Sequence, residues 1–155
     1  MRTLQQWFEE YAVSHQNQTN KAIHYICVPA IYFSIVGLLM SIPNQIIVST
    51  LKLNAPIIEN WAFIVLLFVL LFYARLSVSM AFKIAILSAI CLILNFYIGQ
   101  IISLWMFSIG VFIIAWIGQF YGHKIEGKKP SFLKDLQFLL IGPAWVVENI
   151  FSKKN

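Results

Sequence analysis

Between Ala22 and Gly122 the chain keeps returning to apolar runs long enough to cross a lipid bilayer: residues 22–42, 61–77, 80–98 and 104–122. At a rise of about 1.5 Å per residue, some twenty apolar residues cover a hydrocarbon core of about 30 Å, and a helix satisfies its own backbone there. No other feature restricts the fold as strongly. With 60% of residues hydrophobic and 11% charged, the composition lies outside that of an ordinary soluble domain. The expected fold class is all-α: an integral membrane helical bundle forming a single domain over 1–155, with about four transmembrane helices. An amphipathic helix within 1–16 precedes them, and an interfacial or re-entrant segment over 131–151 follows. The apolar part of that last segment is short for a span and is interrupted by Gly142-Pro143; a fifth span is the alternative.

Within this outline Pro29 implies a kink in the first span, and residues 43–60 read as a loop. The short turn after residue 77 makes the second and third spans an antiparallel hairpin. The first apolar run begins only after Lys21, so no removable leader is expected. The net charge of +5 does not point to nucleic acid, because the basic residues sit beside apolar runs instead of forming an aromatic-interleaved patch. With the amino terminus in the cytoplasm, the inner segments hold Arg2, Lys21, Arg75, Lys83, Lys124, Lys128, Lys129, Lys134, Lys153 and Lys154, leaving only Lys52 outside. Both termini are therefore expected to be cytoplasmic. Cys27 and Cys91 fall inside spans as small apolar fillers, which argues against a disulfide or a cysteine metal site.

The same topology gathers all three histidines at the cytoplasmic boundary. Leu4, Trp7, Phe8, Tyr11, Ala12 and His15 form one helical stripe. A polar turn, Gln16 to Asn20, follows, with Thr19 and Asn20 able to cap the next helix. Along one unbroken helix His15 and His24 would lie roughly 180° apart; with a turn between them they can converge. His123 ends the fourth span. Glu126, three residues on, projects from the same face about one turn away, as a shared ligand or as a plain hydrogen-bonded cap.

Three imidazoles and a carboxylate suit Fe(II), Zn or Mn, and three or four protein donors leave positions open for substrate or oxygen. Glu126 reads either as a ligand or as the partner that orients His123. Arg75, at the cytoplasmic end of its span, can hold a substrate carboxylate, although positive-inside anchoring also explains it. Tyr11 and Asn20 are further candidates for substrate contact. Gln119 and Asp135 can support the ligands, or serve as helix-end partners and caps. Asn95 reads as a helix-packing amide. There is no phosphate-binding glycine loop, nucleophile elbow or HExxH, and mid-depth charges of the kind that mark transport pathways are absent.

The segments YAVSHQNQTNKAIHYICVP (11–29) and GQFYGHKIEGKKPSFLKDLQFLLIGP (118–143) carry a pattern of H-x8-H, with Asn four residues before the second His, then G-H-x-x-E-G-(K/R)-x-P. In these motifs the chain resembles the small membrane proteins typified by the fungal 2-hydroxy fatty acid dioxygenase that converts phytosphingosine-derived acids to odd-numbered fatty acids, and it is similar to their bacterial branch. The resemblance implies an Fe(II)-dependent oxygenase of fatty acid α-oxidation, whose partners are a 2-hydroxy fatty acid, O2 and membrane lipid. It implies His15, His24 and His123 as catalytic iron ligands, with Glu126 as a possible fourth, in a multi-pass protein of the bacterial cytoplasmic membrane. With only three histidines, any scheme using more must rely here on Glu126, water or substrate. The rival reading from another class is a metal-stapled membrane scaffold or lipid-binding protein without catalysis; turnover of a 2-hydroxy acid separates the two.

Overall fold

The computed structural model describes residues 2–127 and 132–152, with side chains over 2–127 and 138–151. Lys128, Lys129, Lys153 and Lys154, and the side chains of Lys134 and Asp135, lie outside the described residues. Among the described residues there are seven helices and no strand: α1 (Leu4–Ala12), α2 (Gln18–Met40), α3 (Gln45–Leu51), α4 (Trp61–Leu76), α5 (Val78–Ile101), α6 (Leu104–Ile125) and α7 (Phe132–Ser152). The all-α expectation is met. Three helices, α2, α5 and α6, are long and apolar enough to cross a membrane. At 16 residues α4 is apolar but spans only about 24 Å, short of a typical hydrocarbon core. The chain falls into two compact units, residues 1–32 with 113–155 and residues 33–112.

In the 33–112 unit, α4 and α5 form the expected hairpin about a single residue. Ser77 closes α4 with its N–H on the Tyr73 carbonyl and opens α5 by accepting the Met80 N–H on its hydroxyl. The expected loop before α4 contains a helix instead, α3, which stops where Lys52 adopts a left-handed conformation (φ 51°). What organises the rest of that segment is Glu59. Its buried carboxylate accepts from Leu53 N (2.8 Å) and Ala55 N (3.0 Å), and the next residue, Asn60, caps α4 by accepting from Phe63 N. Asn95 behaves as the packing amide anticipated: its Nδ2 donates to the Phe33 carbonyl of α2 and to Cys91 within α5. Gly37 makes that approach possible, because a Cβ there would collide with Asn95 and Ser108.

The other unit is built on α7. Its Gly142-Pro143 pair does not interrupt the helix, and every residue from Ile141 to Val147 is buried. A helix buried on all sides over two turns forms the core of this unit. α1 lays its stripe on it, with Trp7 and Tyr11 edge-on to Phe138 and Tyr11 against Trp145 at 5.1 Å. Thr3 and Gln6 close a reciprocal capping box at the start of α1. Pro29 sits within a continuous α2. Large apolar side chains such as Ile26, Phe82, Ile101 and Ile114 stand exposed on α2, α5 and α6, which is compatible with a membrane protein whose outer faces meet lipid.

Glu59→Ala removes the acceptor for two part-buried N–H groups, those of Leu53 and Ala55. The expected loss is about 1–3 kcal/mol, with Glu59→Gln losing less because it keeps one acceptor oxygen; thermal unfolding in detergent measures both.

Candidate metal centre

Between Ala12 and Gln18 the chain turns instead of continuing one helix. His15 lies in that turn, His24 in the second turn of α2 and His123 in the last turn of α6. The turn lets the first two meet. Ring centroids are 4.3 Å apart for His15 and His24, 5.1 Å for His24 and His123, and 5.5 Å for His15 and His123. One donor nitrogen from each lies within 4.8 Å of the other two, and all three residues are buried.

Two of the imidazoles are held by the same device. His15 Nδ1 is 2.6 Å from the Tyr11 carbonyl oxygen and His24 Nδ1 is 2.9 Å from that of Asn20, four residues back in each case. A carbonyl oxygen only accepts, so both Nδ1 atoms carry the proton and donate it. Nε2 then keeps its lone pair, the tautomer a metal ligand needs, and the carbonyl raises the basicity of the ring. Tyr11 also stacks on His15, with centroids 4.0 Å apart and planes 8° from parallel.

Glu126 acts on the turn. One carboxylate oxygen accepts from Gln16 N (2.8 Å) and the other from Asn17 N and Asn20 Nδ2 (2.9 Å each). Desolvation pushes its acidity toward the neutral form, but the hydrogen bonds from Asn20, Asn17 and Gln16 outweigh it and hold the carboxyl below its ordinary range. Glu126 is not among the side chains whose donor atoms converge. The helix cap is also not one of those expected: Asn17, rather than Thr19 or Asn20, accepts the N–H groups of Thr19 (2.9 Å) and Asn20 (3.3 Å). Asn20 is fully buried and spends its amide on Glu126 and on the Ser14 carbonyl.

Sequence reasoning passed over Gly118 and Gly122. They lie one turn apart on α6, and a Cβ on Gly122 would run into the Asn20 amide and sit 3.3 Å from the His24 ring; one on Gly118 would sit 2.6 Å from Cys27 Sγ. Bare backbone at both positions lets α6 approach α2 closely enough for His24 and His123 to face each other. The small-xxx-small spacing, Gly118 to Gly122, was the available signal.

A cavity of about 40 Å³ opens beside the histidines, with Val28, Ile31, Trp116, Phe138 and Leu139 as its apolar wall. Gln119 also lines it, 6% exposed, and its Nε2 is buried with no hydrogen-bond partner among the described residues. Leaving such a donor unpaired costs about 1–3 kcal/mol. Of the candidates read from sequence, the structure thus brings His15, His24, His123, Tyr11 and Gln119 to one cavity, and Asn20 and Glu126 to the turn beside it. Arg75 belongs to the other unit, exposed in the last turn of α4. The Asp135 side chain is outside the described residues.

Gly122→Ala forces its Cβ against Asn20 and His24 and is expected to destabilise by about 1–3 kcal/mol. Gly110→Ala, in the same helix with nothing within 4 Å of the added carbon, is expected to be neutral or slightly stabilising, since Ala favours helix over Gly. Unfolding midpoints of the two variants in detergent provide the comparison.

Searches of curated proteins and of solved structures returned no match. One protein-family model does match, described as 2-hydroxy-palmitic acid dioxygenase Mpo1-like, and its match runs over residues 1–154, taking in all seven helices and every residue of the histidine cluster. Coverage of that extent shows that the chain belongs to the Mpo1-like family.

Proposed function

We propose that this chain is a membrane-bound, Fe(II)-dependent dioxygenase of fatty acid α-oxidation, converting a long-chain 2-hydroxy fatty acid and O2 to the acid one carbon shorter. The observation that supports it best is the convergence of three buried imidazoles, two already set in the ligand tautomer, in a chain of this family. The donor set suits the ion: neutral nitrogens fit Fe(II), and equally Zn or Mn, and three of them leave coordination positions for substrate oxygens. His15 and His24 would hold it through Nε2, with His123 as third ligand.

When bound, the iron supplies the redox chemistry for the overall change R–CH(OH)–COOH + O2 → R–COOH + CO2 + H2O, in which the C1–C2 bond breaks and dioxygen takes up four electrons. The chain's own residues do the rest. The Tyr11 and Asn20 carbonyls fix the protons on Nδ1 and aim the imidazoles. Glu126 holds the turn that carries His15. The apolar wall excludes water and receives the first carbons of the hydrocarbon chain. A lipid acid in the inner leaflet presents its head at this depth if α2, α4, α5 and α6 cross the bacterial cytoplasmic membrane with both termini on the cytoplasmic side, the orientation that the lysine and arginine distribution favours.

Iron-loaded protein incubated with 2-hydroxypalmitate under oxygen should yield pentadecanoic acid and CO2. If the acid survives unchanged, the dioxygenase reading fails and the ion becomes a staple between the α1–α2 turn and α6. His15→Ala should strip the metal; a variant that keeps full stoichiometry by elemental analysis would sink the three-histidine site.

Glu126→Ala deletes the acceptor of three hydrogen bonds without touching an imidazole. Metal affinity should fall about 10–100-fold, as when partners that orient metal ligands are removed. Competition with a chelator measures it, and an unchanged affinity would show that the turn holds itself.

A further inference from the structure

Gln119 stands one helical turn before His123 on α6, on the same face and about 6 Å deeper along the axis. It lines the same cavity as the three imidazoles, Val28, Ile31 and Trp116, and along α6 it stands between Trp116 and His123. Its amide makes no hydrogen bond to any described residue, and its Nε2 is wholly shielded from solvent. Buried amides in native proteins are nearly always satisfied. This one is placed where an acceptor of a bound molecule would complete it.

Building on the dioxygenase reading, we propose that Gln119 is the substrate-recognition residue of the site: its amide N–H donates to the carboxylate of the 2-hydroxy acid. A head group at the histidines carries two carboxylate oxygens and a hydroxyl, all able to accept. The amide contributes a neutral donor, which binds a carboxylate without adding a charge that would repel a cation held by the imidazoles. The tail then runs along the apolar wall. Gln119 so distinguishes an acid from a lipid alcohol or diol of the same length, which has no carboxylate to receive the amide.

Zinc-loaded protein, being redox-inert, separates binding from turnover. 2-Hydroxypalmitate and hexadecane-1,2-diol are titrated into wild type, Gln119→Met and Gln119→Leu in detergent, and the fluorescence of tryptophan, including Trp116 on the cavity wall, is followed. Both variants should bind the acid roughly tenfold or more weakly, as expected for loss of a hydrogen bond to a charged group, with zinc stoichiometry and diol affinity unchanged. Wild-type affinity for the acid in both variants, or an equal loss for acid and diol, overturns the assignment. Loss of zinc from one variant removes that variant only, and the other then decides; loss of zinc from both overturns the assignment, since Gln119 then serves the metal site and not the substrate. Wild type that binds the acid but, loaded with iron, forms no shorter acid removes the dioxygenase reading and leaves Gln119 in its role. Wild type that binds neither compound overturns both.

Discussion

The histidine cluster depends on a carboxylate that need not touch a metal. A turn of five residues between two helices is a weak element by itself, since its N–H groups need acceptors and its conformation has an entropic cost. Glu126 meets both demands, taking the N–H groups of Gln16 and Asn17 and the amide of Asn20 from the end of α6. The turn is thereby pinned to the same helix that carries His123. Histidines far apart in the chain are held in one frame because the residue three positions after the third grips the segment between the first two.

Close packing supplies the second constraint. Membrane helices gain little from burying apolar surface against one another, because lipid is as apolar as leucine; close backbone approach and polar contacts must do more of the work. Gly118 and Gly122 provide the approach on α6, and Asn20 fills the space beside Gly122 with an amide that is itself tied to Glu126. Enlarging Gly122 and removing Glu126 therefore act on the same contact from opposite sides, and their effects should not add.

The long helices and the histidine cluster were legible in the sequence because each rests on a simple count: apolar run length for the helices, and helical rotation plus a polar break for His15 and His24. What escaped were decisions made by tertiary contact. Thr19 and Asn20 are as good caps as Asn17 by residue type, but Asn20 is drawn inward by Glu126, so the helix starts earlier and Asn17 takes the cap. α3 is only seven residues long, too short for its apolar residues to show a helical period, and a buried Glu59 that gathers the chain behind it cannot be seen in a composition. Gly142-Pro143 reads locally as a break, yet α7 stays helical because the bonds a proline forfeits are outweighed by packing on every side. Glu126 had the right position and two possible roles; only the hydrogen-bond geometry shows which groups it serves.

The electrostatics of the cluster argue for a cation at its centre. His15 and His24 already hold a proton on Nδ1, as their carbonyl partners require, so a second proton on either would make it an imidazolium. Two such cations within 4.8 Å in a buried site would repel strongly and forfeit most of their hydration. Left neutral, His15 and His24 each keep an Nε2 lone pair within the cluster, which favours a positive charge placed between them. A divalent ion would supply that charge without a second proton on either ring. Backbone carbonyls and a stacked tyrosine orient two of these side chains, and Glu126 holds the turn that carries His15.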